Sequence, residues 1–76
     1  MKDILEYIAK GIVDEPDAVE VTEREGDRGP ILELRVAQED MGKVIGKGGR
    51  TVKAIRRVMG AAALQRNTRV LIDIVE

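Results

Sequence analysis

Three glycines within four residues, in the stretch GKGG from Gly46 to Gly49, constrain the fold of this chain more than any other feature. Glycine readily adopts left-handed backbone angles and is a poor helix former, so a helix rarely continues through such a stretch. Apolar residues on both sides nevertheless follow helical spacing. The sequence therefore predicts a tight turn between a short helix at about residues 41–45 and a longer helix at about residues 50–65.

Regular spacing of apolar residues elsewhere predicts one further helix and three strands. Between Ile4 and Ile12 the aliphatic side chains fall on one face of a helix, at about residues 2–13. Alternation of apolar and polar residues predicts strands at about residues 18–25, 31–37 and 69–75. The first two strands look like an antiparallel hairpin, and a right-handed helical crossover joins the second to the third.

The expected architecture is a single α+β domain over residues 1–76, with the element order α-β-β-α-α-β. Helices packed on one face of a three-stranded mixed sheet would bury the aliphatic residues. Two polar residues mark helix ends in this scheme. Asp40 is predicted to cap the amino terminus of the short helix, and Asn67 is predicted to end the long one.

The composition argues against an enzyme. The 76 residues include no His and no Cys, which removes the commonest general base and the commonest metal ligands. A hydrolase would have to rely on carboxylates and an added metal. We therefore expect no catalytic residue, metal site or cofactor. Because no signal peptide is apparent and no apolar run approaches the ~20 residues of a membrane span, we expect a cytoplasmic protein without a membrane partner.

Charge is divided unevenly along the chain, although its formal net value is only −1. The first 40 residues carry 5 basic and 12 acidic side chains, a net of −7, whereas residues 41–72 carry 8 basic and no acidic ones, a net of +8. The two acidic residues after position 72 restore the total of −1. An uncompensated basic face of this kind is the footprint expected for a polyanion partner.

Two simpler readings of the glycine stretch account for it poorly. A Walker phosphate loop needs four residues between its glycines and a hydroxyl after the lysine, but here three residues separate Gly42 from Gly46, and Lys47 is followed by Gly48. A plain helix-helix turn explains glycine as such, yet it requires neither Gly48 nor the charges of Lys47 and Arg50. A clamp for a sugar-phosphate chain explains both, since glycines admit the chain and cations hold it.

The segment VIGKGG, from Val44 to Gly49, resembles the G-x-x-G loop of the KH domain, and Val52 and Ile55 follow as apolar anchors. The extra helix and strand at the start of the chain resemble the type II arrangement. In KH domains this loop holds about four nucleotides by their backbone. The resemblance implies that Ile45 lines the floor of the RNA groove. The predicted RNA-binding set is Lys43, Ile45, Gly46, Lys47, Gly48, Gly49, Arg50 and Lys53.

The opening MKDILEYIAKGIVDEPDAVEV and the closing VLIDIVE resemble the ends of the bacterial KhpA family of small RNA-binding proteins. This resemblance implies a protein that binds single-stranded RNA and acts as an RNA chaperone or post-transcriptional regulator. It further implies a KhpB-like KH-containing partner, self-association as a homodimer, and a role in cell shape and cell-wall growth.

A protein-docking module stays open as the alternative function. The stretch GAAAL, from Gly60 to Leu64, offers small residues that permit close helix packing, and the acidic first half suits a basic partner. If RNA is the ligand, the absence of aromatic residues from the basic segment rules out base stacking on aromatic rings. We therefore expect modest affinity, low sequence selectivity and strong salt dependence.

Overall fold

The computed structural model describes residues 1–75, and the predicted order of elements is confirmed. Each helix lies within one residue of its predicted bounds, and each strand within two. The helices are α1 (Lys2–Ile12), α2 (Met41–Ile45) and α3 (Arg50–Gln65), and the strands are β1 (Glu20–Gly26), β2 (Gly29–Arg35) and β3 (Leu71–Val75). Single 3-10 turns precede β1, precede α2 and separate α2 from α3, at Pro16–Ala18, Gln38–Asp40 and Lys47–Gly49.

The three strands form one mixed sheet in the order β1-β2-β3. β1 and β2 pair antiparallel up to Gly26 opposite Gly29, so that only two residues form the hairpin loop and both strands extend into the predicted turn. β3 runs parallel to β2, from Leu71 opposite Ile31 to Val75 opposite Arg35. The antiparallel hairpin and the parallel pairing of β2 with β3 are thus as predicted, and β3 lies at an edge of the sheet.

The core is a single aliphatic layer between the helices and one face of the sheet. Its fully buried members come from α1, β2, α2 and α3, and they are Leu5, Ala9, Leu32, Leu34, Val44 and Met59. The opposite face of the sheet carries polar residues: Arg24 Nε lies 2.8 Å from a carboxylate oxygen of Glu33. This contact lowers the pKa of Glu33. Burial on one face alone fixes the register, because a shift by one residue would expose the core positions.

Asp40 has a different role from the predicted one. Its side chain makes no capping hydrogen bond to α2. Instead its carboxylate, which is only 1% exposed, accepts hydrogen bonds from the backbone N–H groups of Asp14 (3.2 Å) and Glu15 (3.1 Å). Asp40 thus stands at the predicted N-cap position of α2, but its side chain does not cap the helix, because a contact with residues about 26 positions earlier engages the carboxylate. Asp40 ties the exit of α1 to the start of α2.

The end of α3 follows the prediction. Asn67 has a left-handed backbone, with φ of 55°. Its N–H donates to the Leu64 carbonyl at 3.0 Å, and the Thr68 N–H donates to the Ala63 carbonyl at 3.0 Å. These two bonds form a Schellman motif, which satisfies carbonyls that the helix leaves free. The chain turns here toward β3. No helix within residues 1–75 is both long and apolar enough to cross a bilayer.

Asp40→Ala is expected to lower the free energy of unfolding by about 2 kcal/mol, because it leaves two backbone donors near the core without an acceptor. Urea denaturation followed by far-ultraviolet circular dichroism measures the change. Asp17→Ala is the matched control, since Asp17 is an exposed residue of the same acidic half. Equal stability of the two variants would show that the Asp40 contacts do not hold α1 to α2.

Candidate nucleic-acid interface

The glycine stretch forms a loop in which three residues have positive φ. Gly46 has φ 77°, Gly48 has φ 63° and Gly49 has φ 78°. The loop closes through a hydrogen bond from the Gly49 N–H to the Gly46 carbonyl at 3.1 Å. Other L-residues adopt these angles only at a cost. Gly48 thus has a conformational role in the turn, contrary to the expectation that a plain turn would not need it.

Gly46 is the most constrained of the three. A Cβ at this position would clash with Thr51 Oγ1 and lie 2.7 Å from the Thr51 backbone nitrogen. A Cβ at Gly48 would meet no atom within 4 Å. One glycine therefore brings the end of α2 against the first turn of α3, while the other leaves the tip of the loop open to an approaching chain.

The loop leads directly into the amino terminus of α3. No side chain caps this end, and its first turn contains no acidic residue. The N–H groups of a helix's first turn lack partners within the helix, and the dipole makes this end positive. Lys47, Arg50 and Lys53 are exposed, and none forms an ion pair within residues 1–75. The loop therefore adjoins a positive helix end and three exposed cations that have no ion-pair partner in the described part of the chain.

Val44 and Ile45 divide between the core and the surface. Val44 is fully buried and holds α2 to the core, whereas Ile45 is 39% exposed beside the loop. The side chain of Ile45 is therefore available to a ligand next to Gly46.

Lys43 differs from the other predicted cations because an acidic residue compensates its charge. Its ammonium group forms a short ion pair with the Asp14 carboxylate, which raises the pKa of Lys43. The side chain of Glu39 in turn raises the pKa of Glu15, the neighbour of Asp14, through a hydrogen bond between the two acids. An acidic cluster thus borders α2, and the basic stretch is not wholly uncompensated.

Arg56 is a basic residue of α3 outside the predicted set, and the fold places its side chain against β3. Its guanidinium crosses from α3 to the edge strand and donates to the Ile72 carbonyl, from Nε at 3.4 Å and from Nη2 at 3.3 Å. Helical spacing puts Arg56 next to the buried Ile55, a hint that its side chain lies near the sheet. Its acceptor depends on how α3 lies on β3, which the sequence pattern does not specify.

The fold and the loop together define a KH domain of type II, in which a G-x-x-G turn joins two helices of a β-α-α-β core. The chain belongs to the KhpA/KhpB family: the model of the KhpA/KhpB KH domain matches residues 2–74. It is 59% identical over 75 residues to "RNA-binding protein KhpA" of Clostridium acetobutylicum, which covers 99% of this chain and 100% of the relative.

Other relatives agree with this family assignment, and two solved structures share the fold. The proteins of the same name from Clostridium perfringens and Caldanaerobacter subterraneus are each 53% identical over 75 residues, again over 99% of this chain and all of the relative. Two structures of the protein Era, one of Aquifex aeolicus Era bound to GDP and AlF4− and one with MgGDPNP and a segment of 16S ribosomal RNA, superpose with a TM-score of 0.65. Each Era structure is 20% identical to this chain, and the superposition covers 96% of this chain but only 28% of the Era chain. This similarity shows a shared fold.

Gly46→Ala is expected to lower the free energy of unfolding by about 2 kcal/mol or more, because the new Cβ both clashes with Thr51 and opposes a positive φ. Gly42→Ala is the matched control one turn earlier, where a Cβ meets nothing within 4 Å and helix propensity favours Ala by about 1 kcal/mol. Urea denaturation of both variants measures the difference. A Gly46→Ala protein as stable as wild type would contradict the described loop geometry.

Proposed function

We propose that this protein binds single-stranded RNA without catalysing a reaction, and that it holds the RNA backbone on the Gly46–Gly49 loop. The observation that carries the proposal is the loop itself: an open, left-handed glycine turn beside an uncapped helix end, with Lys47 and Arg50 exposed and without an ion-pair partner among residues 1–75. The name of the relatives, "RNA-binding protein KhpA", supports the same function.

Each part of the loop contributes a different step of binding. The space around Gly48 admits a sugar-phosphate chain, because no side chain holds it away. Backbone N–H groups at the start of α3 then lie close to a phosphate, where the helix dipole favours negative charge. Lys47 and Arg50 add full charges at that place. These contacts involve the RNA backbone and not its bases, so they supply affinity rather than selectivity for a base sequence.

The remaining predicted residues extend this site unequally. Lys53 lies one turn along α3, and no acidic side chain in the described part of the chain pairs with it, so we assign it a phosphate contact beyond the loop. Ile45 offers an apolar contact to a sugar or base. Lys43 contributes less, because the Asp14 carboxylate already neutralises its ammonium group.

The cellular role follows from family membership as a proposal. We infer a cytoplasmic RNA chaperone or post-transcriptional regulator that acts with a KhpB-like KH-containing partner, with effects on cell shape and cell-wall growth. A loop that holds about four nucleotides binds weakly by itself, and a second RNA-binding surface raises avidity. Avidity therefore favours a complex with that partner or a homodimer over an isolated chain.

Protein docking is the second candidate function, and one observation favours it. Leu64 is 75% exposed and Leu71 is 51% exposed, and both line a shallow cavity of about 320 Å³ beside the end of α3. A Cβ at Gly60 would meet no neighbouring element among residues 1–75 within 4 Å. The small residues of GAAAL thus leave an apolar surface that is separate from the glycine loop.

Replacement of both tip residues, Lys47→Asp with Gly48→Asp, is expected to weaken RNA binding at least about tenfold, since charge-assisted contacts are lost and like charges meet the phosphates. The fold should persist, because Asp tolerates the left-handed backbone of position 48 better than most residues do. Fluorescence anisotropy with a labelled hexauridylate at low and at physiological salt measures the affinity.

Lys2→Asp with Gly11→Asp is the control, because it makes the same change in net charge on the exposed surface of α1. This control is expected to keep most of the affinity. An equal loss of RNA affinity in both variants would show that the loop acts only through the overall charge of the protein. A folded loop variant with unchanged affinity would remove the loop from the site and favour protein docking.

A further inference from the structure

Lys43 stands beside the glycine loop, but another residue of the chain already occupies its charge. It lies in the last turn of α2, three residues before Gly46, whose N–H donates to the Gly42 carbonyl at 2.8 Å. Lysine carries its charge on a flexible stem of four carbons, so the ammonium group can reach a phosphate at the loop. In the structure, the ammonium group instead forms an ion pair with the Asp14 carboxylate.

The main chain holds Asp14 in place for this contact. The N–H groups of Asp14 and Glu15 donate to the two oxygens of the Asp40 carboxylate, at 3.2 Å and 3.1 Å. Asp40 is buried and directly precedes α2. The exit of α1 is therefore fixed against the start of the helix that carries Lys43. Because the backbone of Asp14 is already ordered, the ion pair forms at a small cost in conformational entropy.

The ion pair itself is open to solvent. The side chain of Asp14 is 74% exposed and that of Lys43 is 45% exposed. Exposed ion pairs are weak, because water solvates both charges and salt screens them. A phosphate can therefore break this pair, but the loss of the contact with Asp14 reduces the affinity of that phosphate for Lys43.

Further carboxylates make the α2 side of the loop unfavourable for RNA. A hydrogen bond with Glu39 raises the pKa of Glu15. The charges of Asp40 and Asp14 act in the same direction. The first turn of α3, on the other side of the loop, contains no acidic residue. A phosphate chain is thus attracted toward α3 and repelled from α2.

We propose that Asp14 competes with an RNA phosphate for Lys43 and so ends the path of the RNA backbone at the α2 side of the loop. The carboxylate occupies the ammonium group as a phosphate would, and the RNA continues from the loop along α3. This inference rests on the proposed function and adds a residue that restrains it. Asp14 is a positioning residue in this scheme, since it controls RNA affinity through Lys43.

The test compares Asp14→Asn with the wild-type chain by fluorescence anisotropy with labelled hexauridylate. Asparagine has nearly the same size and keeps the backbone N–H that donates to Asp40, so the fold should persist. We expect the variant to bind about threefold to fivefold more tightly at low salt. Because one more phosphate is then neutralised, the slope of log K against log salt concentration should steepen by about 0.7.

Asp17→Asn is the matched control. It makes the same change in net charge at an exposed residue of the same segment, and Asp17 forms no ion pair within residues 1–75. Its gain in affinity should stay below about twofold, because salt screens a charge without a local partner. Both substitutions are repeated in a Lys43→Gln chain. There Asp14→Asn should gain no more than Asp17→Asn, because the ammonium group that Asp14 withholds is gone.

The outcomes separate this inference from the function on which it rests. A gain from Asp14→Asn that exceeds that from Asp17→Asn only while Lys43 is present supports the competition. Unchanged affinity in Asp14→Asn, equal gains from the two substitutions, or an excess gain that survives in the Lys43→Gln chain overturns the inference and leaves the loop assignment intact. Absence of hexauridylate binding by every chain at low salt overturns both proposals.

Discussion

The close approach of Gly46 to Thr51 is the constraint on which the rest of the interface depends. It turns the chain sharply between α2 and α3, so that the short helix keeps Val44 in the core while the loop stands outside it. The turn ends at Gly49, the N-cap residue of α3, which has no side chain to cap the helix. A loop made of residues with Cβ atoms would fill this space, and the helix end would lose its access to a ligand.

Local patterns in the sequence predicted the elements well, because helical and strand periodicity record which residues face the core. The bounds of α2 and α3 follow directly from the apolar residues on both sides of GKGG. The role of Asp40 was not predictable in the same way, since its partners lie about 26 residues earlier in the chain. The local sequence suggested that the Asp40 side chain caps a helix, but its carboxylate accepts hydrogen bonds from the distant backbone N–H groups instead.

The site was predicted less evenly than the fold. Gly46, Gly48 and Gly49 adopt positive φ values as a glycine turn requires. Side-chain pairing depends on tertiary contacts, so the residue pattern did not identify Asp14 as the partner of Lys43 or the Ile72 carbonyl as the acceptor for Arg56. Both contacts change the expected charge distribution. The ion pair with Asp14 neutralises Lys43 on the basic face, and the hydrogen bonds to Ile72 hold Arg56 beside the edge of the sheet.

The central claim is that RNA lies on the glycine loop, and an amide NMR titration with hexauridylate tests it most directly. The account predicts that the largest shift changes fall on Ile45 to Lys53, at the loop and the first turn of α3. The exposed outer face of α1 should change little. Large changes confined to α1 or to the open face of the sheet, with the loop amides unmoved, would contradict the account.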